Sequence, residues 1–139
     1  MIRLRCQIIC LMFLAAVPAT LSVVFHPKKP AWTQIKSDEI GLEAANQWKA
    51  EALWVDARTR EDYDKDHIPG AVCLNEDHWN EMIPGLLDRW APSKKIVVYC
   101  SSQSCSRSHA VAKRLREEVG LTDVFVLEGG WEAWLKAKH

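Results

Sequence analysis

The run Ile96-Val97-Val98-Tyr99 is the feature that most constrains the fold of this chain. Its residues are apolar, mostly β-branched and uninterrupted, and the charged pair Lys94-Lys95 precedes it. A strand that is apolar on both faces is typical of the centre of a parallel sheet covered by helices. The sequence therefore predicts a buried central strand that ends at Cys100.

Short apolar runs alternate with amphipathic stretches on both sides of that strand. The other predicted strands are Leu53-Trp54-Val55, Ala71 to Leu74 and Val124 to Leu127, with Thr33-Gln34-Ile35 as a candidate edge strand. Strands that alternate with helices predict an α/β fold, an open parallel β-sheet flanked by helices on both faces, with right-handed crossovers. In such sheets ligands bind beyond the carboxyl ends of the strands, which directs attention to Cys100.

Five helices are predicted from caps and apolar spacing. The first is capped by Ser37 and has Ile40, Ala44, Ala45 and Trp48 on one face. The third, from Trp79 to Trp90, should break or bend at Pro84-Gly85. The others are a short charged helix within Thr59 to Lys65, an amphipathic helix from near Ser106 to Gly120, and a last helix after Gly129-Gly130.

The amino-terminal segment differs in character from the remainder of the chain. After a basic head with Arg3 and Arg5, the stretch Cys6 to Phe25 has no charge. Twenty such residues suffice to cross a hydrocarbon core as a helix, and Val17-Pro18-Ala19 also resembles a signal cleavage site. The sequence predicts a hydrophobic helix within residues 1–30, either a retained membrane anchor or a signal peptide. In both cases the globular part, residues 31–139, is expected in an extracytoplasmic, periplasmic compartment.

Charge and cysteine content narrow the function classes. The 18 basic and 18 acidic residues balance, so no global field favours nucleic acid. The chain has five cysteines. Two of them, Cys6 and Cys10, lie in the hydrophobic segment, and an odd remainder favours a working thiol over a disulfide framework.

The segment from Cys100 to Arg107 joins the central strand to the next helix and carries the candidate chemistry. Backbone N–H groups of such a loop, the helix dipole and the Arg107 guanidinium would form an anion cradle. The same field favours thiolate, so the pKa of Cys100 is expected below its ordinary value of roughly 8.5. The candidate anion-binding residues are Ser101, Ser102, Gln103, Ser104, Ser106 and Arg107.

Each of these assignments has a plainer alternative. Cys100 could be a small buried apolar residue, and Arg107 a solvated helix residue. Cys105 could be a helix-start residue, a resolving thiol that bridges to Cys100, or the true nucleophile. No histidine stands at ligand spacing near the two cysteines, so no metal is expected, and no cofactor is predicted.

Three sequence blocks, in this order, resemble the rhodanese superfamily. The first is Leu53 to Arg58 with His67-Ile68-Pro69-Gly70-Ala71, the second is Ile96 to Cys100, and the third is Leu127 to Trp131. The resemblance covers about Thr33 to Leu135, so residues 31–139 are identified as a rhodanese-like domain.

The resemblance implies a sulfurtransferase or persulfide carrier in which Cys100 takes a sulfane sulfur from a donor such as thiosulfate. A thiophilic small molecule or thiol would accept it, and a membrane protein is a further candidate partner. Asp56 and Arg58 would be structural, pairing their charges behind the loop. The alternatives are a thiol–disulfide redox partner using Cys100 and Cys105, and a non-catalytic module that binds an anion or a protein.

The loop departs from the family pattern in the position of its cation. Ser101 follows Cys100, where thiosulfate-using members commonly have a basic residue close after the cysteine. Arg107 stands seven positions on, so the Cys-x5-Arg pattern of the phosphatase and arsenate-reductase relatives is not matched either. A phosphatase or arsenate reductase is therefore a weaker alternative.

Overall fold

The computed structural model describes residues 38–102 and 106–138. These residues form five strands and five helices that alternate along most of the chain. A single 3-10 turn, Lys49–Glu51, separates the first helix from the second strand. In chain order the elements are β1 (Glu39–Ile40), α1 (Leu42–Gln47), β2 (Ala52–Asp56), α2 (Arg60–Lys65), β3 (Val72–Cys73), α3 (Trp79–Leu87), β4 (Lys95–Tyr99), α4 (Ser106–Glu117), β5 (Val124–Leu127) and α5 (Gly130–Lys138).

The five strands form one sheet in the order β1-β5-β4-β2-β3, and every pairing is parallel. The strand β4 lies at the centre, with Val98 opposite Val55 on one side and Val126 on the other. All carboxyl ends of the strands therefore meet at one edge of the sheet. The loops that follow β2 and β4 are neighbours there, since the Ala57 amide donates to the Tyr99 carbonyl at 2.8 Å.

Alternate residues of the central strand face two separate apolar cores, as the two-residue period of a strand requires. Ile96 and Val98 belong to a core completed by α3 and α4, whose buried residues include Leu86 and Leu115. Val97 and Tyr99 belong to the opposite core, which α1, α2 and α5 cover through residues such as Ala45, Tyr63 and Trp134. Both faces of the sheet are covered by helices, so the predicted architecture is confirmed for the described residues.

The predicted first helix is wrong at its beginning. Ile40 lies in β1, and the helix starts at Leu42 with the extended Gly41 at its N-cap position. Ala44 is exposed, whereas Ala45 is fully buried. Ile40 lies in a strand because Glu39 and Ile40 pair with β5, which is distant in sequence. This tertiary pairing adds an edge strand where the local pattern favoured a helix.

Pro84 does not end the third helix, so of the two predicted effects, a break or a bend, the break does not occur. The helix α3 continues through it to Leu87, and the Asp88 amide donates to the Pro84 carbonyl at 3.0 Å. A proline removes one hydrogen bond of the helix interior. Burial of Trp79 and Leu86, on either side of the proline, holds the helix together against that loss.

The predicted amino-terminal helix within residues 1–30, the candidate strand at Thr33 to Ile35 and Ser37, the predicted helix cap, lie outside the described residues. Within the described ranges, none of the helices is long and apolar enough to cross a membrane.

Candidate active site at the end of the central strand

Cys100 lies immediately after β4, at the sheet edge where the carboxyl ends of the strands meet. Only 1% of its surface is exposed. The strand before it is anchored on both sides by parallel pairing and on both faces by the two cores. The cysteine thus follows the central strand of the sheet, which is paired on both sides and buried on both faces.

The predicted anion-binding residues fall on both sides of a short undescribed stretch. Ser101 is exposed and Ser102 is half-buried, directly after the cysteine. Ser106 and Arg107 are exposed and form the start of α4, whose amino-terminal end carries a partial positive charge. Gln103, Ser104 and Cys105 lie outside the described residues. The loop as described can offer backbone and hydroxyl groups near Cys100.

The two described cysteines differ in chemical state. Cys100 is disulfide-bonded. Cys73, at the end of β3, is a buried free thiol. Burial, reinforced by the charge of Asp56, raises the pKa of Cys73 to about 11, so this thiol stays protonated near neutral pH. Cys73 is therefore a poor nucleophile, and Cys100, once reduced, is the better candidate.

Asp56 and Arg58 form a buried ion pair at the end of β2. The closest contact joins Arg58 Nη2 to Asp56 Oδ2 at 2.7 Å, and neither side chain is more than 6% exposed. The Arg58 backbone amide also donates to Asp56 Oδ1 at 2.9 Å, and Nη2 donates to the Asp66 carbonyl at 2.6 Å. The pair thus ties the loop after β2 to the loop after α2.

Aromatic rings enclose the Arg58 guanidinium. Its Cζ lies 4.5 Å from the centroid of the Trp131 ring and 5.8 Å from that of Tyr99. Burial acts to lower the pKa of Arg58, but the hydrogen bonds and charge of Asp56 outweigh it and raise the pKa above its ordinary value. The guanidinium therefore stays charged. It also links the end of β2 to Tyr99, which precedes Cys100 in the chain, and to Trp131 of α5.

The beginning of α5 packs directly on the cysteine loop. The Trp131 amide donates to the Cys100 carbonyl at 2.7 Å, and the Glu132 amide donates to the Ser101 carbonyl at 3.2 Å. Gly130 has a φ of 53°, and a Cβ at this position would collide with the Cys100 carbonyl oxygen. Close backbone approach with a left-handed conformation is a role that glycine alone fills without strain.

Gly130 and Trp131 are not among the site residues predicted from the sequence. Two consecutive glycines before a helix were a usable signal, because such pairs mark left-handed backbone or close approach. Asn75 was also missed. It is buried, donates to the Arg58 carbonyl at 3.4 Å and accepts from the His78 amide at 3.0 Å, and its sequence context gave no signal.

The arrangement provides a cysteine at a strand end, a helix start with a nearby cation, and a rigid support behind both. Such a site can hold an anion next to a nucleophilic thiolate. Among the described residues no group of three or more metal-ligating side chains comes together.

Comparison with known proteins agrees with this geometry. Residues 42–137 match the family model of the rhodanese-like domain, which is most of the chain. The chain belongs to the rhodanese-like domain family. A relative named thiosulfate sulfurtransferase GlpE, from Coxiella burnetii, is 32% identical over 91 residues, which cover 66% of this chain and 78% of the relative.

Several solved structures share the fold. A Bacillus halodurans protein matches with a TM-score of 0.63 at 25% identity, covering 77% of each chain. A rhodanese-like domain protein from Staphylococcus aureus matches with a TM-score of 0.53 at 26% identity, over 70% of this chain and 90% of that one. These likenesses support the family and its fold.

Proposed function

We propose that this rhodanese-like protein is a sulfurtransferase or persulfide carrier whose acceptor of sulfur is Cys100. The single observation that carries the proposal is the position of this cysteine, between the end of β4 and the start of α4. The family and the relative named as a thiosulfate sulfurtransferase support the same reaction class.

In the proposed reaction the Cys100 thiolate attacks the outer sulfur of thiosulfate. A bond forms between Cys100 Sγ and that outer sulfur. The sulfur–sulfur bond of thiosulfate breaks, and sulfite leaves with the electron pair of that bond. The product is a persulfide anion on Cys100, and the negative charge is conserved. Backbone N–H groups of the loop and the positive end of α4 would stabilise both the incoming dianion and the persulfide.

The acceptor that takes the sulfur is proposed to be a thiophilic anion or a thiol of another molecule, attacking the outer sulfur of the persulfide. We further propose that the domain works outside the cytoplasm, attached through residues 1–30 or released from them. A membrane protein would be a fitting partner for an anchored domain, and nucleic acid would not.

The experiment is mass analysis of the reduced full-length chain with and without thiosulfate, with peptide mapping of each cysteine. We expect a gain of one sulfur atom at Cys100, lost in Cys100→Ser and retained in Cys105→Ser. Release of the sulfur on addition of cyanide would show that the persulfide can be transferred. If no sulfane donor modifies Cys100 in reduced wild-type protein, the proposed function is wrong.

A thiol–disulfide redox function is the second candidate, and one observation favours it: Cys100 is disulfide-bonded. Cys105 is the partner that the sequence suggests, since it lies five positions further on. This function predicts that the bridge forms and opens reversibly in glutathione buffers of graded potential. It also predicts that Cys100→Ser and Cys105→Ser both abolish exchange with a model disulfide, whereas the sulfurtransferase tolerates the second substitution.

A further inference from the structure

The first turn of α5 touches the backbone of the cysteine loop at two successive carbonyls. The donors are the amides of Trp131 and Glu132, and the acceptors are the carbonyls of Cys100 and Ser101. The described chain contains no cis peptide bond. In a planar trans peptide the N–H points opposite to the carbonyl of the same unit. The contact that holds the Cys100 carbonyl towards α5 therefore turns the Ser101 N–H away from α5. The contact at the Ser101 carbonyl turns the Ser102 N–H away in the same manner.

These two N–H groups are the first donors of the predicted anion cradle, because they follow directly on the nucleophile. Their direction is set by residues thirty positions further along the chain. A preorganised donor stabilises charge without having to reorient during the reaction, and its contribution falls when the donor is displaced. The start of α5 is thus placed to fix the electrostatic environment of the Cys100 sulfur.

The ring of Trp131 fixes the start of α5 in turn. It lies over the Arg58 guanidinium, with its centroid 4.5 Å from Cζ, and it stacks on Tyr99 with ring centroids 6.2 Å apart. Arg58 is itself held by the buried Asp56 carboxylate. These contacts connect the Asp56–Arg58 pair at the end of β2 to the Trp131 ring, and the Trp131 amide in turn holds the Cys100 carbonyl.

We propose that Gly130 and Trp131 are positioning residues for Cys100, the glycine by allowing the close approach of α5 and the tryptophan by anchoring it to Arg58. The inference deepens the proposed function and rests on it, since it gives these residues a role only if Cys100 is the reacting thiol. Neither residue touches a substrate in this scheme.

The first test compares two alanine substitutions at neighbouring glycines. Gly130→Ala forces a Cβ into the Cys100 carbonyl, whereas Gly129→Ala forces one into Ala133 of α5 itself. Both glycines have positive φ, 53° and 72°, so both variants carry backbone strain. We measure the rate of iodoacetamide modification at Cys100 against pH, in reduced full-length protein, by peptide mapping.

We expect Gly130→Ala to shift the midpoint of the profile by about one pH unit to higher pH, which slows modification about tenfold at pH values well below the wild-type midpoint. Gly129→Ala should leave the midpoint near that of wild type, although urea unfolding shows both variants to be less stable. Equal midpoints in wild type and Gly130→Ala would overturn the role of the glycine.

The second test uses the two tryptophans of α5 and decides the matter if Gly130→Ala does not fold. Trp134 packs against Trp54, with ring centroids 6.1 Å apart. Trp131→Ala should move the midpoint to higher pH, Trp131→Phe should restore most of the wild-type profile, and Trp134→Ala should leave it unchanged. If both alanine variants give the same profile, Trp131 has only a structural role.

The two proposals fail in different ways. Alkylation reports the state of the thiol and needs no sulfur donor. A wild-type Cys100 that accepts no sulfur would overturn the sulfurtransferase proposal, while the comparison of midpoints would still decide whether α5 positions the thiol.

Discussion

At the scale of single residues, the buried pair Asp56–Arg58 carries the largest expected effect on stability. Neither side chain can be removed alone without leaving the other charge in an apolar surrounding. Breaking such a pair typically costs about 3–5 kcal/mol, whereas replacing both members by apolar residues costs much less. We expect Arg58→Met to lower the free energy of urea unfolding by about this amount, and Asp56→Leu/Arg58→Met to lower it less.

The exposed pair Arg60–Asp64 provides the control for that prediction. Arg60 Nε lies 3.1 Å from Asp64 Oδ1, but the two side chains are 59% and 57% exposed. Solvated pairs of this kind contribute less than about 1 kcal/mol, so Arg60→Met should hardly change the unfolding free energy. Equal losses in Arg58→Met and Arg60→Met would contradict the assignment of Asp56–Arg58 as a structural support.

Cys73 makes a second prediction at this scale, on the dependence of stability on pH. Burial raises the pKa of its thiol to about 11 in the folded protein. As the pH rises, the thiol ionises first in the unfolded chain. Between the unfolded and the folded pKa the folded state therefore holds more protons, and the free energy of unfolding falls as the pH rises. The stability that the protonated Cys73 thiol contributes is fully present below the ordinary thiol pKa, and it is lost as the pH rises through about 11.

Cys73→Val removes the titrating group and keeps an apolar side chain at the site. We expect its free energy of unfolding to fall less steeply than that of wild type above about pH 9, with parallel curves below it. The measurement is chemical unfolding across that range in the presence of a reductant. Parallel curves over the whole range would mean that the folded protein does not suppress ionisation of this thiol.

At the scale of elements, two prolines predict opposite effects on stability. Pro84 lies inside α3, where it removes a hydrogen bond of the helix interior. Pro92 lies in a turn closed by the Lys94 amide and the Ala91 carbonyl at 2.8 Å, where its fixed φ suits the second position. Pro84→Ala should raise the unfolding free energy by about 1 kcal/mol or more, and Pro92→Ala should lower it by about 0.4–1 kcal/mol.

Unfolding in urea under identical conditions compares the two variants. A loss of stability in Pro84→Ala would show that the helix has adapted to its proline, through packing that an alanine does not reproduce. A gain in Pro92→Ala would show that the turn does not require the restricted φ.

The elements that the sequence predicted are those whose signal is local and strong. The strand β4 was predicted because an unbroken apolar run has few other stable environments, and α4 because Val111, Ala112 and Leu115 repeat at helical spacing. Ile40 was misassigned because its pairing partner, Leu127, lies far along the chain. Local patterns do not record such pairings.

The same distinction applies to the candidate site. The position of Cys100 after a strand and before a helix could be predicted, since strand, loop and helix are contiguous. The contact of α5 with Cys100, and the packing of Trp131 on Arg58, could not, because they join residues that are distant in sequence. Only the glycine pair before α5 hinted at a close approach.

At the scale of the whole molecule, the sheet order predicts how stability is distributed. The central strand β4 has a paired neighbour on each side and a buried core on each face. The edge strands β1 and β3 contain two residues each and pair on one side. Local opening should therefore be easiest at the edges and should approach global unfolding at the centre.

Native-state hydrogen exchange measures this gradient. The amides of Val97 and Val98 should exchange with an opening free energy close to that of global unfolding, typically about 5–15 kcal/mol. The amides of Ile40 and Cys73 should exchange through smaller openings that depend little on urea. This gradient would place Cys100 directly after the least mobile strand of the sheet. Uniform protection across all five strands would contradict that arrangement, because the sheet would then open only as a single unit.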